Sequence, residues 1–558
     1  MRITPVLGCN AERREFLYNH TNERNSEERK IMRILVAEKI SQKGIEALLQ
    51  EKNISVDVHT DYTREELLNV IENYDAIIVR SVTKVNEELY ERAKNLKVVG
   101  RAGNGVDNID MQGATKRGII VVNTPEANTV SAAEHTIGLM LSSCRNIPRA
   151  NSRIKGRVWD RSDLKGTELR GKTLGIVGLG RIGSLVATRM QSFRMKVIAY
   201  DPYITDARFQ KFGVEKKEKL EDLVREADFI TVHTPKTEET IGMIGKDQFK
   251  VAKKGVRVVN CARGGIIDEE ALAEALKDGI VASAGIDVLV GEPNTTSPLL
   301  DFDNVVNTPH LGADTVEAQD NVGVTIAHEV LSALRGEMVP NAVNLPTLAR
   351  QELEELKSYL KLGEILGKLY HQLEKDPVDK VEISYSGELA NMETSTITLA
   401  VLKGLFETIL KERVNYVNAR LIAKNRGVDV TESKHSAAGN YLNLIELKIF
   451  SKNKTFTVSG TVLGKGDVRI TEVNGFEFDV SPSPNMLVAE NVDKPGIIGQ
   501  IGTLLGVSKI NIATMQVSRN CHGDRAMMFL SVDCEVCKDS LKMMNGVEGV
   551  FNVSFIKL

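Results

Sequence analysis

Several shortages bound what this 558-residue chain can be. Aromatic residues make up only 5%, with a single tryptophan, Trp159. The six cysteines are scattered (Cys9, Cys144, Cys261, Cys521, Cys534, Cys537) and form no disulfide framework, which fits a reducing cytoplasm. Cys534 and Cys537 make a lone C-x-x-C with no second pair, and no metal site is expected. No apolar run approaches the length of a membrane helix, so no membrane partner is expected. The net charge of −3 gives no reason to expect nucleic acid. Residues 1–31 lack the apolar stretch of a signal peptide, and their acids (Glu12, Glu15, Glu23, Glu27, Glu28) argue against a transit sequence. They are expected to be a flexible leader, or else Met32 is the true start.

What is present is organised around Gly175-Ile-Val-Gly-Leu-Gly-Arg-Ile-Gly183. Gly178, Gly180 and Gly183 form G-x-G-x-x-G between the apolar strand Thr173–Val177 and a helix on which Ile182, Leu185, Val186, Arg189 and Met190 recur. On a strand-to-helix turn these glycines permit a tight turn, close approach to a pyrophosphate, and helix-on-strand packing. The helix N-terminus offers free N–H groups to phosphates. A second strand, Lys196–Tyr200, ends in Asp201, about 18 residues beyond Gly183. That acid can hold both ribose hydroxyls. No adjacent base follows to accept a 2′-phosphate, so NAD is favoured over NADP.

From Met32 onward short β-branched runs alternate with amphipathic stretches, predicting α/β architecture with two doubly wound parallel sheets of Rossmann type. The expected division is a substrate-binding domain (32–128 plus 313–340), an NAD-binding domain (129–312), an α+β intervening domain (341–484), and a ferredoxin-like βαββαβ unit (485–558). Within the intervening domain, helices are expected over Glu352–Lys375 and Thr398–Lys411. The segment Arg101-Ala-Gly-Asn-Gly-Val-Asp107 mimics a dinucleotide loop without a third glycine in register. Its glycines are expected to turn backbone N–H groups toward a small acid.

Three polar residues follow successive strands at the carboxyl edge of the second sheet, where open α/β sheets bind ligands. Arg263 follows Val256–Asn260, Glu292 follows Ala282–Asp287, and His310 follows Val305–Asn307. Imidazole suits the proton of an alcohol, a carboxylate behind it favours its charged form, and a guanidinium can hold a substrate carboxylate at two points. The pattern suits alcohol–ketone interconversion with nicotinamide as hydride carrier.

At these motifs the chain resembles the D-2-hydroxyacid dehydrogenase family. The resemblance is carried by Gly178–Gly183, Val259-Asn-Cys-Ala-Arg-Gly-Gly265, Gly285-Ile-Asp287 and Pro309-His-Leu-Gly-Ala313, and narrowed by Arg80-Ser-Val-Thr-Lys84 and Gly100–Asn108 to the branch acting on D-3-phosphoglycerate. It implies Arg263, Glu292 and His310 as the catalytic trio. It implies an NAD site of Asn104, Gly178, Gly180, Arg181, Ile182, Gly183, Asp201, Thr234, Cys261, Ala262, Arg263, Asp287, His310, Gly312 and Ala313. For the substrate it implies Arg80, Ser81, Arg101, Asn104 and Gly105; Asn104 departs from the threonine common at that position. Residues 485–558 resemble an ACT domain, a small-ligand sensor, in which Asn491, Asp493 and Asn511 match positions that grip L-serine between paired domains. Trp159 matches a stretch that inserts into a neighbouring subunit, implying a homo-oligomer, a tetramer. Two rival readings stand beside this one: a glyoxylate or hydroxypyruvate reductase, and an NAD-sensing corepressor.

Overall fold

The computed structural model describes residues 31–346, 350–410, 413–452, 454–520 and 523–558. Apart from Ile31, the expected leader lies outside them. Four sheets follow one another along the chain. The first has five parallel strands, Met32–Val36, Ile54–Val58, Ala76–Val79, Val98–Arg101 and Ile120–Val122, in spatial order second-first-third-fourth-fifth. Ala76–Val79 is apolar throughout and wholly buried, as a strand covered on both faces must be. The helix Val316–Leu334, capped by the Thr315 side chain, returns to this sheet and packs against Gln42–Leu49. Its buried residues Val322, Ile326 and Val330 join one core with Ile34, Ile78 and Val98.

The second sheet has seven strands, all parallel, in the order Val305–Asn307, Val281–Ile286, Val256–Asn260, Phe229–Val232, Thr173–Val177, Lys196–Tyr200, Glu215–Lys216. Thr173–Val177 lies between Phe229–Val232 and Lys196–Tyr200. Winding therefore reverses at its carboxyl end, which opens a crevice in front of the glycine turn. The helix Thr129–Arg145 runs along this sheet, with Ala133, Leu139 and Met140 buried in its core.

The third sheet is mixed and six-stranded, and the helices Arg350–Leu373 and Ser395–Glu407 pack together beside it. The second of these begins earlier and ends sooner than the expected Thr398–Lys411, and Lys411 itself lies outside the described residues. Ten of its thirteen residues are buried, so no polar face marked its ends in the sequence. The fourth sheet is antiparallel, with strands Asn485–Val492, Ile512–Arg519, Arg525–Val532 and Val550–Lys557, and helices Ile497–Val507 and Lys538–Asn545 between them. The order is βαββαβ. Met486, Val488 and Phe529 of this sheet share a core with Val473, Phe476 and Phe478 of the third. The Gln516 amide completes the junction: its Oε1 accepts from Asp479 N at 3.0 Å and its Nε2 donates to Asp479 O at 2.5 Å.

Candidate active site

The glycine turn takes the geometry its residues require. Gly178 has φ +94°, and a Cβ on Gly183 would collide with the Gly178 carbonyl. Nothing stands where a Cβ on Gly180 would point, leaving room for a ligand against the backbone. Both oxygens of Asp201 are fixed by backbone donors, Leu179 N and Tyr203 N, each at 3.0 Å. Thr234 Oγ1 is buried with no partner, an orphaned group that a bound dinucleotide can satisfy. The crevice therefore fits NAD. Arg181 is paired with Glu126 at 3.2 Å, and Ile182 is half-buried behind the turn. Ala262 N donates to Asn260 Oδ1 at 2.9 Å. The Cys261 thiol is pushed up to about 12 by burial, which makes it a packing group rather than a nucleophile.

His310 and Glu292 meet. His310 Nδ1 lies 2.6 Å from Glu292 Oε2, and the two side chains are 45% and 34% exposed. A carboxylate only accepts, so Nδ1 carries the proton and Nε2 is left to take one from a ligand. Leu289 N donates to the second Glu292 oxygen at 3.0 Å. Burial opposes the ionised form of Glu292, but the His310 hydrogen bond and charge outweigh it and hold the carboxyl below its ordinary range.

The cations come from both sheets. Arg101 ends the strand Val98–Arg101, and its Nη1 donates to the Ala102 carbonyl at 2.7 Å while Nε is buried without a partner. Burial, then repulsion from Arg263 and Arg80, pushes Arg101 down to about 10. Arg101 remains a cation at neutral pH, under a strain that an anion would relieve. Arg263 Nε reaches Asp107 at 3.4 Å, spanning from the second sheet to the first. A Cβ on Gly103 would strike the Arg101 guanidinium, and one on Gly105 that of Arg263. These glycines let two guanidinium groups lie against the loop.

Arg80 lies in a loop held from beneath by Glu38, which accepts from Arg80 N at 2.9 Å and Thr83 N at 2.8 Å. Asn108 holds the same loop through the Arg80 and Thr83 carbonyls at 2.9 and 2.7 Å. Ser81 and Asn104 are exposed, and the Asn104 carbonyl accepts from Asn123 at 2.7 Å.

Sequence reasoning missed Glu38, Asn108 and Asp107 because their partners are brought to them by topology alone. It also missed the depth of Asp287. That side chain is fully buried and accepts from Thr308 Oγ1 at 2.6 Å, Leu311 N at 2.7 Å and Gly312 N at 2.8 Å. Ala313 follows, its carbonyl accepting from Gln319 at 3.0 Å.

The implied effector residues sit apart, Asn491 in the strand Asn485–Val492 of the fourth sheet, Asp493 just after it and Asn511 just before the strand Ile512–Arg519. Asp493 is paired with Arg519 at 2.7 Å, and Asn511 donates to Asp533 at 2.9 Å. Asn491 is buried; its Nδ2 donates to Val492 O at 2.7 Å, and its Oδ1 has no partner. Trp159 is 89% exposed, on a segment braced by Asp163, which Arg149 and Arg153 reach at 2.6 and 2.8 Å.

Fold and site together define the class: an NAD-dependent oxidoreductase of 2-hydroxy acids. Residues 137–312 match the family described as D-isomer specific 2-hydroxyacid dehydrogenase, NAD binding domain, and residues 355–474 match the D-3-phosphoglycerate dehydrogenase intervening domain. The D-3-phosphoglycerate dehydrogenase of Archaeoglobus fulgidus is 44% identical over 532 residues, 94% of this chain and 100% of the relative. That of Bacillus subtilis is 44% identical over 528 residues, 95% and 100% of the two chains. Among solved structures, a glyoxylate reductase from Paecilomyes thermophila is 29% identical with TM-score 0.52, covering 56% of this chain and 98% of its own. The chain belongs to the D-3-phosphoglycerate dehydrogenase family, within the D-2-hydroxyacid dehydrogenases.

Proposed function

We propose that the protein oxidises D-3-phosphoglycerate to 3-phosphohydroxypyruvate, the first step of L-serine synthesis, in the cytoplasm. The observation that carries this reading is the His310–Glu292 pair at 2.6 Å, and it is supported by the mutual repulsion of Arg101, Arg263 and Arg80, three cations gathered near one another. NAD, when bound, supplies the hydride acceptor. In this reading His310 Nε2 takes the hydroxyl proton as C2 is oxidised, and Glu292 stabilises the imidazolium that forms. Arg263 anchors the substrate carboxylate, and Arg80 and Arg101 take its anionic ends. Asp201 receives the ribose hydroxyls, and the helix beginning at Arg181 faces the pyrophosphate. Closure of the cleft between the two sheets excludes water from the reacting carbon. The similarity over 94% of the chain to D-3-phosphoglycerate dehydrogenase favours this reading over the reductase, whose likeness covers 56%. The retained acid–base pair speaks against the corepressor. The test is NADH formation from NAD and D-3-phosphoglycerate; activity with glyoxylate and NADH but none with phosphoglycerate would reverse the choice.

The finer part of the proposal is feedback by L-serine at Asn491, Asp493 and Asn511, between C-terminal units of a homotetramer. It is supported by the βαββαβ order and by the unpartnered Asn491 oxygen. An effector ammonium would have to replace Arg519 at Asp493. Serine titration during the assay tests it, and inhibition that survives Asp493→Ala would count against it. The solution mass of Trp159→Ala tests the subunit contact.

A further inference from the structure

His310 has a left-handed backbone, φ +57°. For a residue other than glycine that conformation is disfavoured by about 1–2 kcal/mol, so surrounding bonds must hold it. They converge on Asp287. The Asp287 carbonyl accepts from His310 N at 2.8 Å, and its carboxylate gathers Thr308 Oγ1, Leu311 N and Gly312 N from the same turn. These three donors belong to the loop they hold, so they tie it to Asp287 and to nothing further. The fourth comes from elsewhere. His135, on the helix Thr129–Arg145, places Nε2 at 3.1 Å from both Asp287 Oδ1 and Thr308 Oγ1. Because a carboxylate only accepts, Nε2 carries the proton.

The geometry points to His135 as a positioning residue. We propose that it fixes the Asp287 carboxylate and the Thr308 hydroxyl against the helix, and so sets the turn that aims His310 at substrate. It touches no reacting atom. Burial opposes the charge on Asp287, and the bonds from His135, Thr308 and Leu311 keep it ionised. Losing His135 removes the side-chain donor that ties the Asp287 carboxylate and the Thr308 hydroxyl to the helix Thr129–Arg145. A misplaced base slows the chemical step without loosening either ligand. The proposal rests on His310 being the base.

The experiment compares steady-state kinetics of His135→Leu, His135→Gln, Thr308→Val and the double variant His135→Leu/Thr308→Val, with His310→Gln as control. His135→Leu should lower kcat about tenfold while KM for NAD and for D-3-phosphoglycerate stays within about twofold. His135→Gln keeps a side-chain N–H donor and should recover kcat to within about threefold of the parent. The double variant should lose little beyond the worse single one, since both act on one carboxylate. Unchanged kcat in His135→Leu overturns the proposal, as does an equal loss in the Leu and Gln variants or a loss confined to KM. Should His135→Leu fail to fold, the near-isosteric Thr308→Val carries the test. It should show the same kcat loss at constant KM, and a folded Thr308→Val with full kcat overturns the idea. His310→Gln separates the two claims. If it stays active, the base assignment is wrong; if it is inactive while His135→Leu is fully active, only the positioning role is wrong.

Discussion

The dinucleotide crevice and the C-terminal unit treat their polar groups in opposite ways. At the crevice they are oriented with bonding capacity left over: Asp201 is held by two backbone amides, each on a different oxygen, and Thr234 Oγ1 has no partner. In the C-terminal unit they are largely committed, Asp493 to Arg519 and Asn511 to Asp533. The contrast teaches that one chain suffices to prepare the cofactor crevice, whereas an effector site here would have to be made by exchange, with a second surface or a ligand displacing existing bonds.

Substitutions can break this comparison, and the largest effect is expected at the base. His310→Gln should cut kcat by about 10²–10⁴ and leave NAD affinity, read by fluorescence titration, nearly unchanged. Next comes the anion side. Arg101→Gln should raise KM for D-3-phosphoglycerate about 10- to 100-fold, the range expected for losing a charged hydrogen bond, with KM for NAD unmoved. In the crevice itself, Gly183→Ala forces a Cβ onto the Gly178 carbonyl and should weaken NAD binding about tenfold. The smallest effect belongs to the C-terminal pair. Arg519 is 72% exposed, so Arg519→Ala should shift Tm by less than about 2 °C and leave kcat alone. If Asp493 receives an ammonium, the same change should make serine the stronger inhibitor; a weaker one would say that Arg519 belongs to the site.

How much of this could be read from the residues alone follows from where the bonds run. The glycine turn, the strand carrying Asp201 and the βαββαβ order are local patterns, and period and turn chemistry revealed them. That Arg263, Glu292 and His310 share one edge was legible because parallel strands place their carboxyl ends together. Contacts crossing between elements were not legible. His135 meets Asp287 across 152 residues, and Arg263 meets Asp107 across 156. No spacing rule reaches so far. The short, nearly fully buried helix Ser395–Glu407 was misplaced for a different reason: a helix with few exposed positions has no stripe to count.

The central claim is that Glu292 is an ionised partner to the imidazole of His310. Its carboxyl is held below the ordinary range despite burial, so its contribution to stability is present above that range and fades as pH falls through the lowered value. Across neutral pH it is a fixed negative charge behind the ring. The most direct measurement is the pH dependence of kcat/KM for D-3-phosphoglycerate oxidation in the parent protein and in Glu292→Gln. Removing the charge should move the acidic limb to lower pH and lower the plateau at least about tenfold. Superimposable profiles would contradict the account.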